Sequence, residues 1–118
     1  MKKLTIIFRR APHGTSHSRE ALDLALLSAS FEQEVCLIFL DEGVLNLVKA
    51  QQPEQIGVKD FIATLGALPL YDIDTVLVCK TSLVEYGLHD TELTIAHDKI
   101  SQKVIMQQLA HADEVLVF

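Results

Sequence analysis

Only two cysteines, Cys36 and Cys79, occur in 118 residues. That is far from the dense framework that staples small secreted domains, so a disulfide scaffold is excluded and a reducing cytoplasm is the expected compartment. No apolar segment approaches the roughly 20 residues of a membrane span. Met1-Lys2-Lys3 begins like a signal peptide, yet only Leu4 to Phe8 follow before Arg9 and Arg10 break the apolar run. Positive charge is scarce too. Ten Lys and Arg against 16 Asp and Glu leave a formal charge of −6, which repels polyphosphates and argues against direct nucleic-acid binding. The local exception, Lys2, Lys3, Arg9 and Arg10 around the first apolar run, reads as a solvated edge.

Several catalytic signatures are missing as well. Neither G-x-G-x-x-G nor G-x-x-x-x-G-K is present, which disfavours a dinucleotide or nucleoside triphosphate cradle. No G-x-S-x-G elbow marks a serine hydrolase. Of the five histidines, at 13, 17, 89, 97 and 111, only His13 and His17 stand four apart, in a turn-rich stretch with Pro12 and Gly14 rather than in a helical pattern, and no cysteine pair lies at zinc distance, so no metal and no cofactor is expected. Internal repeats, low-complexity tracts and long linkers are absent, and residues 1–118 are expected to form a single domain.

What is present is apolar and alternating in type. Hydrophobic residues make up 49% of the chain, enough for a substantial core. Apolar runs at Leu4–Phe8, Val35–Leu40 and Thr75–Cys79 predict strands, with a weak fourth at Thr91–Ala96 and a fifth at Glu114–Phe118. Helical patterns lie between them: Arg19–Ser30, a short helix at Val44–Val48, Val58–Leu68 ending at Pro69, a brief helix at Ser82–Tyr86 ended by Gly87, and one capped by Ser101 through about Ala110. The strand runs are continuous rather than alternating, as in parallel sheets buried on both faces. The fold class is therefore α/β: a three-layer α/β/α sandwich around a five-stranded parallel sheet. The first helix carries two apolar faces, Ala21, Leu22, Ala25, Leu26 and Ala29 on one side and Leu24, Leu27 and Phe31 on the other. The second face packs under neighbouring loops or meets another subunit.

In such sheets, ligands gather beyond the carboxyl ends of the strands. Those ends predict a rim of Arg9, Arg10 and His13 after the first strand, Asp41 and Glu42 after the second, Cys79 and Lys80 after the third, and His97 after the fourth. Cys79 is the candidate nucleophile. It sits between a strand and a helix start where Ser82 and Glu85 match a capping box, and a helix N-terminus and Lys80 both favour thiolate. The other reading makes Cys79 a small, inert hydrophobe at a strand end, as Cys36 is inside its strand. Gly14 and Thr15 with the rim arginines leave room for a small-anion module, although a simple turn accounts for them.

Four segments in order, APHGT (11–15), DEGV (41–44), KDFIATLGALPLYDI (59–73) and VCKTSLVEYGL (78–88), resemble the TusC (DsrF) family over nearly the whole chain. The resemblance implies a DsrE/DsrF/DsrH-like fold. It also implies TusB-like and TusD-like partners, in a heterohexamer built from two TusBCD trimers that takes persulfide sulfur from TusA and passes it towards TusE for 2-thiolation of a tRNA wobble uridine. In that superfamily the persulfide cysteine belongs to the TusD type of subunit, on the loop after the third strand. Cys79 occupies the corresponding place in a TusC-like sequence, so it stands as a candidate secondary site in a mainly structural subunit. A thiol enzyme acting alone through Cys79 is the alternative.

Overall fold

The computed structural model describes residues 2–9, 17–31, 33–47, 65–73, 75–88 and 98–118. Five strands form one sheet: β1 (Lys3–Phe8), β2 (Glu34–Phe39), β3 (Thr75–Cys79), β4 (Asp98–Ile100) and β5 (Glu114–Val117). Their order is β4-β3-β2-β1-β5, and every neighbouring pair is parallel. The three central strands each begin with one exposed residue and are buried thereafter, as expected for a sheet covered on both faces.

Among the described residues the sheet is accompanied by α1 (His17–Ser30), α2 (Lys80–Glu85) and α3 (Gln102–His111), with 3₁₀ turns at Asp41–Leu47 and Leu68–Tyr71. From β1 to β4 the chain steps in one direction, and then β5 returns past it to pair with β1. Parallel connections are right-handed, so reversing the direction of travel moves the connecting helix to the opposite face. Two separate cores follow. Ala21, Leu22 and Ala25 of α1, with Val44, Leu47, Leu65, Leu68 and Leu83, pack on Leu4, Ile6, Phe8, Leu37 and Phe39. On the other face Ile105 and Leu109 of α3 meet Ile7, Cys36, Ile38, Leu77 and Cys79. Among the described residues no helix is long and apolar enough to cross a membrane.

Most predicted elements appear within a residue or two, and the departures have local causes. Ser101 caps α3 as expected, its hydroxyl accepting the Val104 N–H at 3.4 Å. Gly87 ends α2 at φ 68°; its N–H donates to the Val84 carbonyl at 3.1 Å and that of Leu88 to the Leu83 carbonyl at 2.7 Å, a Schellman closure. The Ser82–Glu85 capping box does not form, because α2 starts at Lys80 with Cys79 as its N-cap residue. Ser82 is instead buried inside the helix. Of the short helix expected at Val44–Val48, residues 44–47 lie in a 3₁₀ turn, Asp41–Leu47, and Val48 is outside the described residues. The fourth strand lies at Asp98–Ile100; the stretch Thr91–Ala96 is outside the described residues, as is most of the helix expected at Val58–Leu68.

The two-faced character of α1 persists in the fold. Of its first face Ala21, Leu22 and Ala25 are buried and Leu26 and Ala29 half-buried; of the second, Leu24 is half-buried, while Leu27 and, just past the helix end, Phe31 remain 56% and 71% exposed.

Candidate functional site

At the carboxyl ends of the strands, one backbone junction organises the rim. Gly43 lies so close to the end of β1 that a Cβ there would stand 1.7 Å from the Phe8 carbonyl oxygen. The same oxygen accepts the Leu40 N–H at 3.1 Å. Beneath it the Phe8 and Phe39 rings, partners in register across β1 and β2, stack with centroids 4.4 Å apart. The glycine of DEGV is thus required by close approach, and it draws the turn after β2 over the end of β1.

That turn carries Asp41 in the left-handed region at φ 51°. The Arg9 guanidinium reaches one Asp41 carboxylate oxygen through Nε at 3.0 Å and Nη2 at 2.9 Å. The Asp41 N–H donates to the Ser82 hydroxyl at 2.8 Å. Three separate elements, β1, the β2 turn and α2, are tied through one residue. The ion pair is about half exposed on both sides, so its contribution is at most ~1 kcal/mol and its main effect is to orient the rim. Tyr86 follows α2, and partial burial, then the carboxylates of Glu42, Asp41 and Glu85, hold its hydroxyl above the ordinary tyrosine range.

Cys79 ends β3 as predicted but turns away from this cluster. Its side chain is 3% exposed and packs among the apolar residues on the α3 face. No hydrogen bond or ion pair links it to Arg9 or Asp41 among the described residues. Lys80, next to it, is exposed. Cys36 is buried on the same face, and burial, assisted by the Glu34 carboxylate, pushes its thiol up to about 12, a protonated and inert state. Arg10, His13, Gly14, Thr15 and His97 lie outside the described residues, and β4 begins after His97 in sequence rather than before it. Among the described residues no cluster of three or more His, Cys, Asp or Glu side chains has the arrangement to hold a metal ion.

Of the predicted rim, the structure brings Arg9 and Asp41 together and leaves Glu42 and Lys80 at the surface. Sequence reasoning missed Ser82 as an acceptor for the turn. A serine three residues before a glutamate signals a cap equally well, and nothing local reveals a partner 41 positions away.

Comparisons with known proteins bear on the whole chain. The DsrE/DsrF-like family model matches residues 2–118. A protein TusC homolog of Haemophilus influenzae is 40% identical over 98% of this chain and 99% of its own length. The protein TusC homolog of Aliivibrio fischeri is 36% identical over the full length of both. In fold, the crystal structure of ychN protein from E. coli superposes with a TM-score of 0.83 over the entirety of both chains at 23% identity. Matched from end to end in sequence and in the parallel sheet that builds this rim, the chain belongs to the DsrE/DsrF-like family and, within it, to the TusC homologues.

Proposed function

We propose that the chain acts as a TusC-type subunit of a cytoplasmic sulfur-relay complex, with a structural rather than a catalytic part. In this reading it assembles with TusB-like and TusD-like subunits as a dimer of trimers. The complex takes persulfide sulfur from a TusA-like carrier and delivers it to a TusE-like one, for 2-thiolation of a tRNA wobble uridine. The observation that carries the reading is the full-length similarity to TusC homologues.

Two features of the molecule support a subunit that works through its surfaces. Leu27 on α1 and Phe31 directly after it present large exposed apolar side chains, the kind of surface that obligate partners bury. Cys79 is enclosed in apolar packing, whereas a relay thiol needs access to a persulfide donor and an acceptor. Acidic net charge is compatible with protein carriers delivering sulfur without this chain touching RNA.

Co-expression with TusB-like and TusD-like chains, followed by size exclusion and native mass measurement, tests the assignment. A stable complex containing all three is expected. A chain that stays monomeric in the presence of both overturns it.

A further inference from the structure

The amino ends of the strands, opposite the rim, hold an unassigned cleft of about 540 Å³ between the sheet and α3. That volume lies within the roughly 300–1,000 Å³ of small-molecule sites. Its floor is a row of three side chains in register on neighbouring strands: Thr5 opposite Cys36, and Cys36 opposite Thr75. Strand alternation places them on the α3 face with Ile7, Ile38 and Leu77. One row of polar groups therefore interrupts an otherwise apolar sheet surface where α3 passes over it. Gln107, Gln108 and His111 form the helix wall, and none of them supplies a hydrogen bond to the row.

Thr5 is the telling residue. It is 1% exposed, and its hydroxyl finds no hydrogen-bond partner among the described residues, although buried polar groups in native proteins are overwhelmingly paired. At the mouth, Lys3 and Glu34 are also partners in register on β1 and β2, with backbones about 4.8 Å apart. They form no ion pair with each other. One residue of each charge thus lines the mouth on adjacent strands without pairing with the other, over a floor whose buried Thr5 hydroxyl has no partner among the described residues.

We propose that this cleft binds a small zwitterion, a free α-amino acid with a short polar side chain. The ligand carboxylate meets the Lys3 ammonium, its α-ammonium meets the Glu34 carboxylate, and its side chain reaches the Thr5–Cys36–Thr75 row. A ligand with both charges suits a mouth lined by one residue of each sign on adjacent strands, which neither a simple anion nor a simple cation satisfies on both sides. The site lies at the far end of the strands from Arg9, Asp41 and Ser82, and its existence does not depend on the relay reading.

Amide NMR of the ¹⁵N-labelled full chain, carrying whatever partner subunits it co-purifies with unlabelled, tests the proposal with L-serine and L-asparagine as probes. Saturable shifts at Thr5, Cys36, Thr75 and Gln108 are expected. Lys3→Gln and Glu34→Gln each weaken binding about tenfold, the loss of one charge-assisted hydrogen bond. Thr5→Val preserves the β-branched shape and weakens it roughly threefold, whereas Met106→Gln, on an exposed position of α3, leaves it unchanged. Propionate and ethylammonium, each carrying half of the zwitterion, do not saturate. Absence of saturable shifts up to about 10 mM, affinity that survives both charge-removing variants, or equal binding of either half-ligand overturns the proposal.

Discussion

Replacing Gly43 with alanine puts the geometry of the rim to a direct test. The added Cβ would stand 1.7 Å from the Phe8 carbonyl oxygen, 2.4 Å from its carbon and 3.0 Å from the Arg9 nitrogen, all of them backbone atoms. No side chain can swing aside, so the end of β1 and the turn after β2 must separate until the 1.7 Å contact opens to at least about 3.0 Å. Two hydrogen bonds resist that movement: Leu40 N–H to the Phe8 oxygen at 3.1 Å and Gly43 N–H to the Leu40 oxygen at 2.9 Å. Leaving both unmade at a buried junction costs about 1–3 kcal/mol each, and with residual overlap we expect a loss of ~3–5 kcal/mol. That is a large fraction of the ~5–15 kcal/mol that holds a domain folded. Urea unfolding followed by circular dichroism reads it as a midpoint lowered by about 2 M. Gly66→Ala, where no atom lies within 4 Å of the new Cβ, serves as comparison and should change stability by no more than ~0.5 kcal/mol. A Gly43→Ala protein as stable as Gly66→Ala would refute the close-approach argument.

Four further outcomes follow from the same structure. Leu27→Lys with Phe31→Glu should leave the isolated chain's unfolding midpoint within ~0.5 kcal/mol, since both side chains are largely exposed, while abolishing co-elution with partner subunits; retained assembly would remove α1 from the interface. Cys79→Ser should lower stability by about 1–3 kcal/mol because it buries a hydroxyl among apolar groups, yet leave tRNA 2-thiolation in complemented cells unchanged; loss of thiolation with the complex intact would make the thiol obligatory. Ser82→Ala deprives the Asp41 N–H of its acceptor and should cost ~1–2 kcal/mol, measured by urea titration. Cys36 is held as a neutral thiol when folded, pushed up from its ordinary value of 9.0 to about 12. The unfolded chain therefore loses that proton first, and the Cys36 contribution is fully present below pH 9 and is lost as pH rises from 9 towards 12. Cys36→Ala should flatten this alkaline slope, and an unchanged slope would contradict the assignment.

Strand positions could be read from the chain because their information is local. Val35–Leu40 and Val76–Cys79 are apolar throughout, and runs this short and rich in β-branched residues between turn signals fit strands buried on both faces. Ser101 before a helical pattern and Gly87 after one are caps whose chemistry acts within a single turn. Ser82 deceived for the opposite reason. Its partner is the backbone of Asp41, and the choice between capping its own helix and holding a distant turn depends on how α2 sits on the sheet. The start of α2 at Lys80 and the 3₁₀ form of Asp41–Leu47 likewise follow from the close meeting of the β1 and β2 ends.

From the amino-acid sequence alone came the α/β class, the parallel character of the sheet and the two apolar faces of α1, all set by hydrophobic period and by residues a few positions apart. Tertiary structure alone decided the order β4-β3-β2-β1-β5, which puts α3 on the face opposite α1, encloses Cys79, leaves Phe31 bare and opens a polar-floored cleft over Thr5, Cys36 and Thr75. Those outcomes depend on which surfaces meet after the chain crosses back over itself, and side chains far apart in sequence carry no local mark of that meeting.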